Sequence, residues 1–205
     1  MSSNIRSIVY IALFAAIFVV MSSITIKIGS PVPITLQTLG VILAGAFLGP
    51  RNGFLSLALV VVLTAIGLPL LHGNGGLSTV LGPTGGFIFA FPFTALFIGF
   101  AARAIMNSKL AAITGNRVMT FLVLFAAFEI IGLFAYVPGV PWLIHVLDWS
   151  FQEGLAKGMY PFLIGDALKA LLAAVIVIAL KPYIYQIQDS TRPASSSSSP
   201  TATHH

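Results

Sequence analysis

The stretch 159-MYPFLIGDALKALLAAVIVIALKP-182 limits what this chain can fold into. Its apolar run is interrupted by one acid and one base. About twenty such residues in a helix cross the ~30 Å hydrocarbon core of a bilayer. Further apolar runs follow the same pattern along the chain. With 58% hydrophobic and 7% charged residues, the chain lacks the polar surface of a soluble domain, where about 25% of residues are charged. The class is therefore an integral membrane protein. The 205 residues suit one bundle and leave no room for a second sizeable domain. Cysteine is absent, which excludes disulfides, thiol nucleophiles and thiolate metal sites.

Glycine, proline and charge cut the chain into six candidate helices, at 5–26, 36–48, 53–68, 86–106, 118–137 and 159–181. The N-terminal run has no good cleavage site and reads as a retained first helix rather than a signal peptide. The second and third helices are short, bounded by 31-PVP-33, 49-GPRNG-53 and 67-GLP-69. They suit either an interrupted span beside a binding site or a plain helical hairpin. If all six cross, Arg6, Arg51, Arg103, Lys109, Arg117, Lys181 and Arg192 fall on one side. The other side holds Lys27 and Lys157, with Asp148 and Glu153 beside them. Seven basic residues against two place the richer side, and both termini, in the cytoplasm of a multi-pass cell-membrane protein.

Two long connections fall on the outer side. The 68–86 segment has six glycines and no charge, and 138–158 contains both tryptophans. The second suits an interfacial aromatic belt or a short surface helix. Residues 1–184 form the expected membrane domain. Residues 185–205, ending in a Ser/Pro-rich tract, are expected to be a disordered cytoplasmic tail. His204 and His205 receive no function. No internal repeat of useful strength is visible.

Asp166 and Lys169 stand at i and i+3, on one face of the last helix. A charge at mid-bilayer costs about 2.5–3.5 kcal/mol on insertion scales, so the pair must face the bundle interior or a wet cavity. It either pins helix packing or converges on a polar ligand entering from outside. Glu129 is a second intramembrane acid with no partner at helical spacing, and its role stays open. Thr35 and Gln37 begin the short second helix, where they contact a ligand or join helices. In 72-HGNGGLSTVLGPTGGF-87, glycines allow close backbone approach, and Asn74 offers both donor and acceptor. The segment lacks the G-x-x-x-x-G-K-[ST] phosphate signature. His72 and His145 are isolated, with no metal spacing. No G-x-S-x-G elbow or nucleotide-binding motif occurs, so the chain is expected to be no enzyme, to need no metal or cofactor, and to harvest no ATP itself. Ala12 and Ala16 make a small-residue face on the first helix, fit for close packing within the bundle or against a partner.

Three stretches together resemble the BioY family, the biotin-binding S components of energy-coupling factor (ECF) transporters. They are 31-PVPITLQTLGVILAGAFLGPRNG-53, 73-GNGGLSTVLGPTGGF-87 and 161-PFLIGDALKALLA-173, and the resemblance covers about residues 5–181. It implies an all-α bundle of six transmembrane helices that captures biotin near the outer face. It also implies, as partners, a transmembrane coupling protein and ATPase subunits that supply energy. Asn74, Asp166 and Lys169 match the family's ligand contacts. Gly85 and Gly86 would bring backbone N–H groups to the ligand carboxylate, Phe87 would cover the ring, and Gln37 would add a polar contact. Ala12 and Ala16 resemble the face by which S components dock their coupling protein. One departure stands out: relatives can carry a basic residue where this chain has Ile88, so the carboxylate must be held otherwise or less tightly. The alternatives are an S component for another vitamin, or a structural or enzymatic membrane bundle whose Asp166–Lys169 pair serves packing.

Overall fold

The apolar runs become helices in the computed structural model, which describes residues 3–26, 33–107 and 117–191. Helix α1 (Ser3–Ser23) leads into a two-stranded antiparallel ladder, β1 (Thr25–Ile26) with β2 (Ile34–Thr35). Helices α2 (Gln37–Ala65), α3 (Leu77–Val80) and α4 (Gly85–Asn107) follow. After residue 116 come α5 (Arg117–Gly132), a 3-10 turn (Leu133–Ala135), and α6 (Tyr136–Leu147). Then come α7 (Phe151–Gly158), α8 (Tyr160–Ala179) and α9 (Lys181–Ser190). Among the described residues five helical stretches are long and apolar enough to cross a membrane: α1, α2, α4, Arg117–Leu147 and Phe151–Ala179. Apolar side chains also remain on the outside, with Ile8, Ile66, Ile130 and Ile164 at 66–78% exposure. Such a belt belongs against acyl chains rather than water.

The expected segments 36–48 and 53–68 are the two arms of α2. Gly49 breaks the helix between them at φ 76°, ψ 180°, a conformation that glycine adopts without a Cβ penalty. Along a straight helix Gly45 and Gly53 would lie about 12 Å apart. Instead a Cβ on Gly53 would sit 2.9 Å from the Gly45 Cα, so the chain doubles back. Pro50 follows the break and has no N–H to give to Ala46 four residues earlier. The orphaned carbonyl is satisfied from elsewhere: Gln188 Nε2 on α9 donates to Ala46 O at 3.1 Å and to Phe47 O at 3.4 Å.

That contact corrects one expectation. Residues 185–190, assigned to a disordered tail, are the end of helix α9, and Gln188 is buried. Its two backbone contacts anchor the helix. The fifth helical run is also longer than 118–137: after the 3-10 turn it continues through Leu147, so much of the expected outer connection is helix. The short α7 carries a reciprocal cap, in which Ser150 Oγ accepts from the Glu153 N–H and the Glu153 side chain accepts from the Ser150 N–H. Lys27, Lys109, Arg192, His204 and His205 lie outside the described residues.

The core runs between the arms of α2 and helix α4, with α8 and α5 closing the far side. Helix α1 lies on α2, where Ser56 Oγ donates to Ile11 O at 3.0 Å. Its other face, with Ala12 and Ala16, is exposed.

Candidate functional site

Pro161 near the start of α8 fits a first turn that needs no N–H there. The helix then carries Asp166 and Lys169 inward. Lys169 Nζ donates to Asp166 Oδ1 at 2.8 Å, with both side chains 11% exposed. The other carboxylate oxygen, Oδ2, accepts from the Tyr136 hydroxyl. Tyr136 is delivered by the first residue of α6. Two groups from two helices, an ammonium and a hydroxyl, thus meet on one carboxylate. Glu129 on α5 is within electrostatic reach of the pair.

Tyr136, Asp166 and Lys169 line one wall of a cavity of about 60 Å³. Phe87, Phe91 and Phe162 form its apolar middle. Phe87 meets Tyr136 edge to face, with ring centroids 5.6 Å apart. Two glycines make that approach possible. A Cβ on Gly139 would run into the Phe87 ring, and one on Gly86 would lie 2.5 Å from the Trp142 Cβ.

A second polar wall comes from β2, the start of α2 and the loop after it. Thr35 Oγ1 donates to Gln37 Oε1 at 3.2 Å, and Gln37 Nε2 donates to Ser22 Oγ at 3.0 Å. The His72 backbone N–H also reaches Ser22 Oγ, at 3.3 Å. His72 has left-handed backbone, φ 54°, an uncommon state for a residue with a side chain. Its Nδ1 is buried with no hydrogen-bond partner among the described residues. Burial pushes the imidazole below its ordinary value of 6.5, so it stands neutral near pH 7.

The structure brings Asp166, Lys169, Phe87 and Gln37 together at the cavity. Asn74, Gly85 and Gly86 are not among its lining. Asn74 is exposed; its Nδ2 donates to His72 O at 3.2 Å and its backbone pairs with Leu71. It shapes the turn that presents His72. Gly85 and Gly86 pack against α6. The Gly85 and Phe87 N–H groups are already given to Gly82 O and Thr84 O, so neither is free for a carboxylate. Nothing in the sequence marks Tyr136, because its partner lies thirty residues on and meets it only once α6 has packed on α4 and α7. His72 is isolated in sequence, yet three of the four residues after it are glycine, a hint of unusual backbone.

Chemically, the site can hold a solute with polar ends and an apolar middle. Among the described residues no three of His, Asp and Glu gather as a metal ion needs.

Comparison with known proteins gives a consistent set of matches. A family model described as the BioY family matches residues 1–186. A probable biotin transporter BioY of Pyrococcus horikoshii is 36% identical over 177 residues, covering 86% of this chain and 96% of that protein. The biotin transporter BioY of Rhizobium etli is 36% identical, covering 83% and 90%. That of Lactococcus lactis is 34% identical, covering 88% and 93%. The solved S-component for biotin from an ECF-type ABC transporter matches with a TM-score of 0.73 at 33% identity, over 89% of this chain and 95% of that one.

Proposed function

The chain belongs to the BioY family, and on that premise we propose that it is a biotin-capturing transport subunit of the cell membrane. Transport, not catalysis, is its role. The two arms of α2 count as separate spans, giving six crossings with both termini in the cytoplasm. The basic residues Arg6, Arg51, Arg103, Arg117 and Lys181 support that orientation. Energy comes from a transmembrane coupling protein, docked on the exposed Ala12–Ala16 face, and from ATPase subunits.

The carrying observation is the carboxylate of Asp166, buried in a cavity and held by Lys169 and Tyr136. A carboxylate has about four acceptor sites, so Asp166 can still accept the ureido N–H groups of biotin. Lys169 uses one of its three donors on Asp166 and can turn another to the ureido carbonyl. Phe87, Phe91 and Phe162 take the thioether ring. The carboxylate tail goes to the second wall, where Gln37 lies with His72 Nδ1, unpaired among the described residues. This answers the apolar Ile88, since a neutral imidazole N–H donates without bringing a second buried cation. Asn74, Gly85 and Gly86 act by shaping this wall and the Phe87 approach. A pocket for a small organic ligand is typically about 300–1,000 Å³, well above the present cavity, so the 68–84 loop and Phe87 give way on binding.

Competition tests the assignment. Purified protein loaded with labelled biotin should release it to excess unlabelled biotin and not to thiamine or riboflavin. Equal displacement by either unrelated vitamin would contradict it.

A further inference from the structure

A second cavity, of about 390 Å³, lies at the other end of the first arm of α2. That arm begins with Gln37 at the first cavity and ends with Leu48 and Pro50 at the second. Nothing in the biotin reading uses it.

Its chemistry is one-sided. Arg51 and Arg103 both line it, and among the described residues no acidic one does. Neither arginine has an ion-pair partner among the described residues. Two like charges in one cavity repel unless an anion joins them. Arg103 is also held in place. Gln188, 6% exposed, is fixed by the carbonyls of Ala46 and Phe47 and accepts from Arg103 Nε at 3.4 Å. Gly49 leaves the space the guanidinium fills: a Cβ there would lie 2.9 Å from Arg103 Nη2. The two Nη groups remain for a forked contact, which suits the oxygens of a phosphate. Asn4 and Asn52 add neutral donors to the lining.

The remaining lining points to where that phosphate comes from. Ile8 and Leu55, 66% and 40% exposed, flank the arginines. A free phosphate gains nothing from an apolar flank, whereas a phospholipid has acyl chains to lay along it. We propose that this cavity binds the phosphate headgroup of an anionic membrane lipid, at the end of the bundle away from the vitamin site. Basic cavities between membrane helices take anionic headgroups in this way.

The test uses the full chain, stripped of lipid in detergent, with bound lipid counted by native mass spectrometry. Phosphatidylglycerol should be retained as a single copy, about tenfold or more tightly than phosphatidylcholine. Arg103→Gln should bring it down to the phosphatidylcholine level while biotin binding is unchanged. Arg51→Gln, at an exposed position, should weaken retention even if Arg103→Gln folds poorly. Equal retention of the two lipids, or retention unaltered by Arg51→Gln, would overturn the proposal. Displacement of phosphatidylglycerol by inorganic phosphate alone would assign the site to a free anion and overturn the lipid reading.

Discussion

Replacing Lys169 with methionine separates what the ion pair does for the fold from what it does for the ligand. The change keeps the aliphatic stem and removes the ammonium. Asp166 is then left with the Tyr136 hydroxyl alone. Because both side chains are only 11% exposed, the weak surface-pair value of about 0–1 kcal/mol does not apply. Breaking one partner out of a buried pair costs about 3–5 kcal/mol, since the remaining charge stays desolvated. The surviving hydrogen bond to a charged group retains about 1.5–3 kcal/mol, so the lower end, about 3 kcal/mol, is expected for Lys169→Met. Adding Asp166→Asn removes the stranded charge. The double variant should recover about 2 kcal/mol of that loss, because replacing a buried pair by neutral groups is often close to neutral. Unfolding of wild type, both singles and the double, followed in detergent with added denaturant, gives the cycle. Both the single and the double should lose biotin binding. A double variant no more stable than Lys169→Met would refute the reasoning that a stranded carboxylate sets the cost.

Further expectations can be checked with the same preparations. Gly139→Ala drives a methyl into the Phe87 ring; overpacking of this kind costs about 1–3 kcal/mol, and biotin affinity should drop by roughly tenfold in calorimetric titration. His72 is held below 6.5 by burial, so its contribution to stability is full above that pH and is lost as pH falls through its lower folded value. The melting temperature should therefore fall below pH 6.5, and His72→Asn, whose side chain tolerates left-handed backbone, should flatten that fall. Ala16→Trp, on the exposed face of α1, should abolish capture of the coupling protein in a pull-down and leave biotin binding intact.

Helix positions were legible because hydrocarbon tolerates so few charges, and the same economy made Asp166 and Lys169 conspicuous. The double-back of α2 was written in Gly49 and Pro50. Its consequence, an orphaned Ala46 carbonyl sought out by Gln188, was not, because the donor comes from a segment that reads as polar tail. Tyr136 was invisible for a similar reason. Nothing local marks a tyrosine as the second partner of an aspartate two helices on; it depends on how α6 packs on α4, where Gly139 lies against the Phe87 ring. By sequence the glycines after Thr84 suit a ligand-facing turn. Glycine permits close approach without saying to what, and here the neighbour is α6.

The most direct measurement is a calorimetric titration of biotin into the detergent-purified protein, run beside Asp166→Asn. Tight binding by the wild type, lost in a variant that still melts cooperatively, is the result expected if the buried carboxylate holds the ligand. Unchanged affinity in the variant, or no binding by a folded wild type, would contradict that claim.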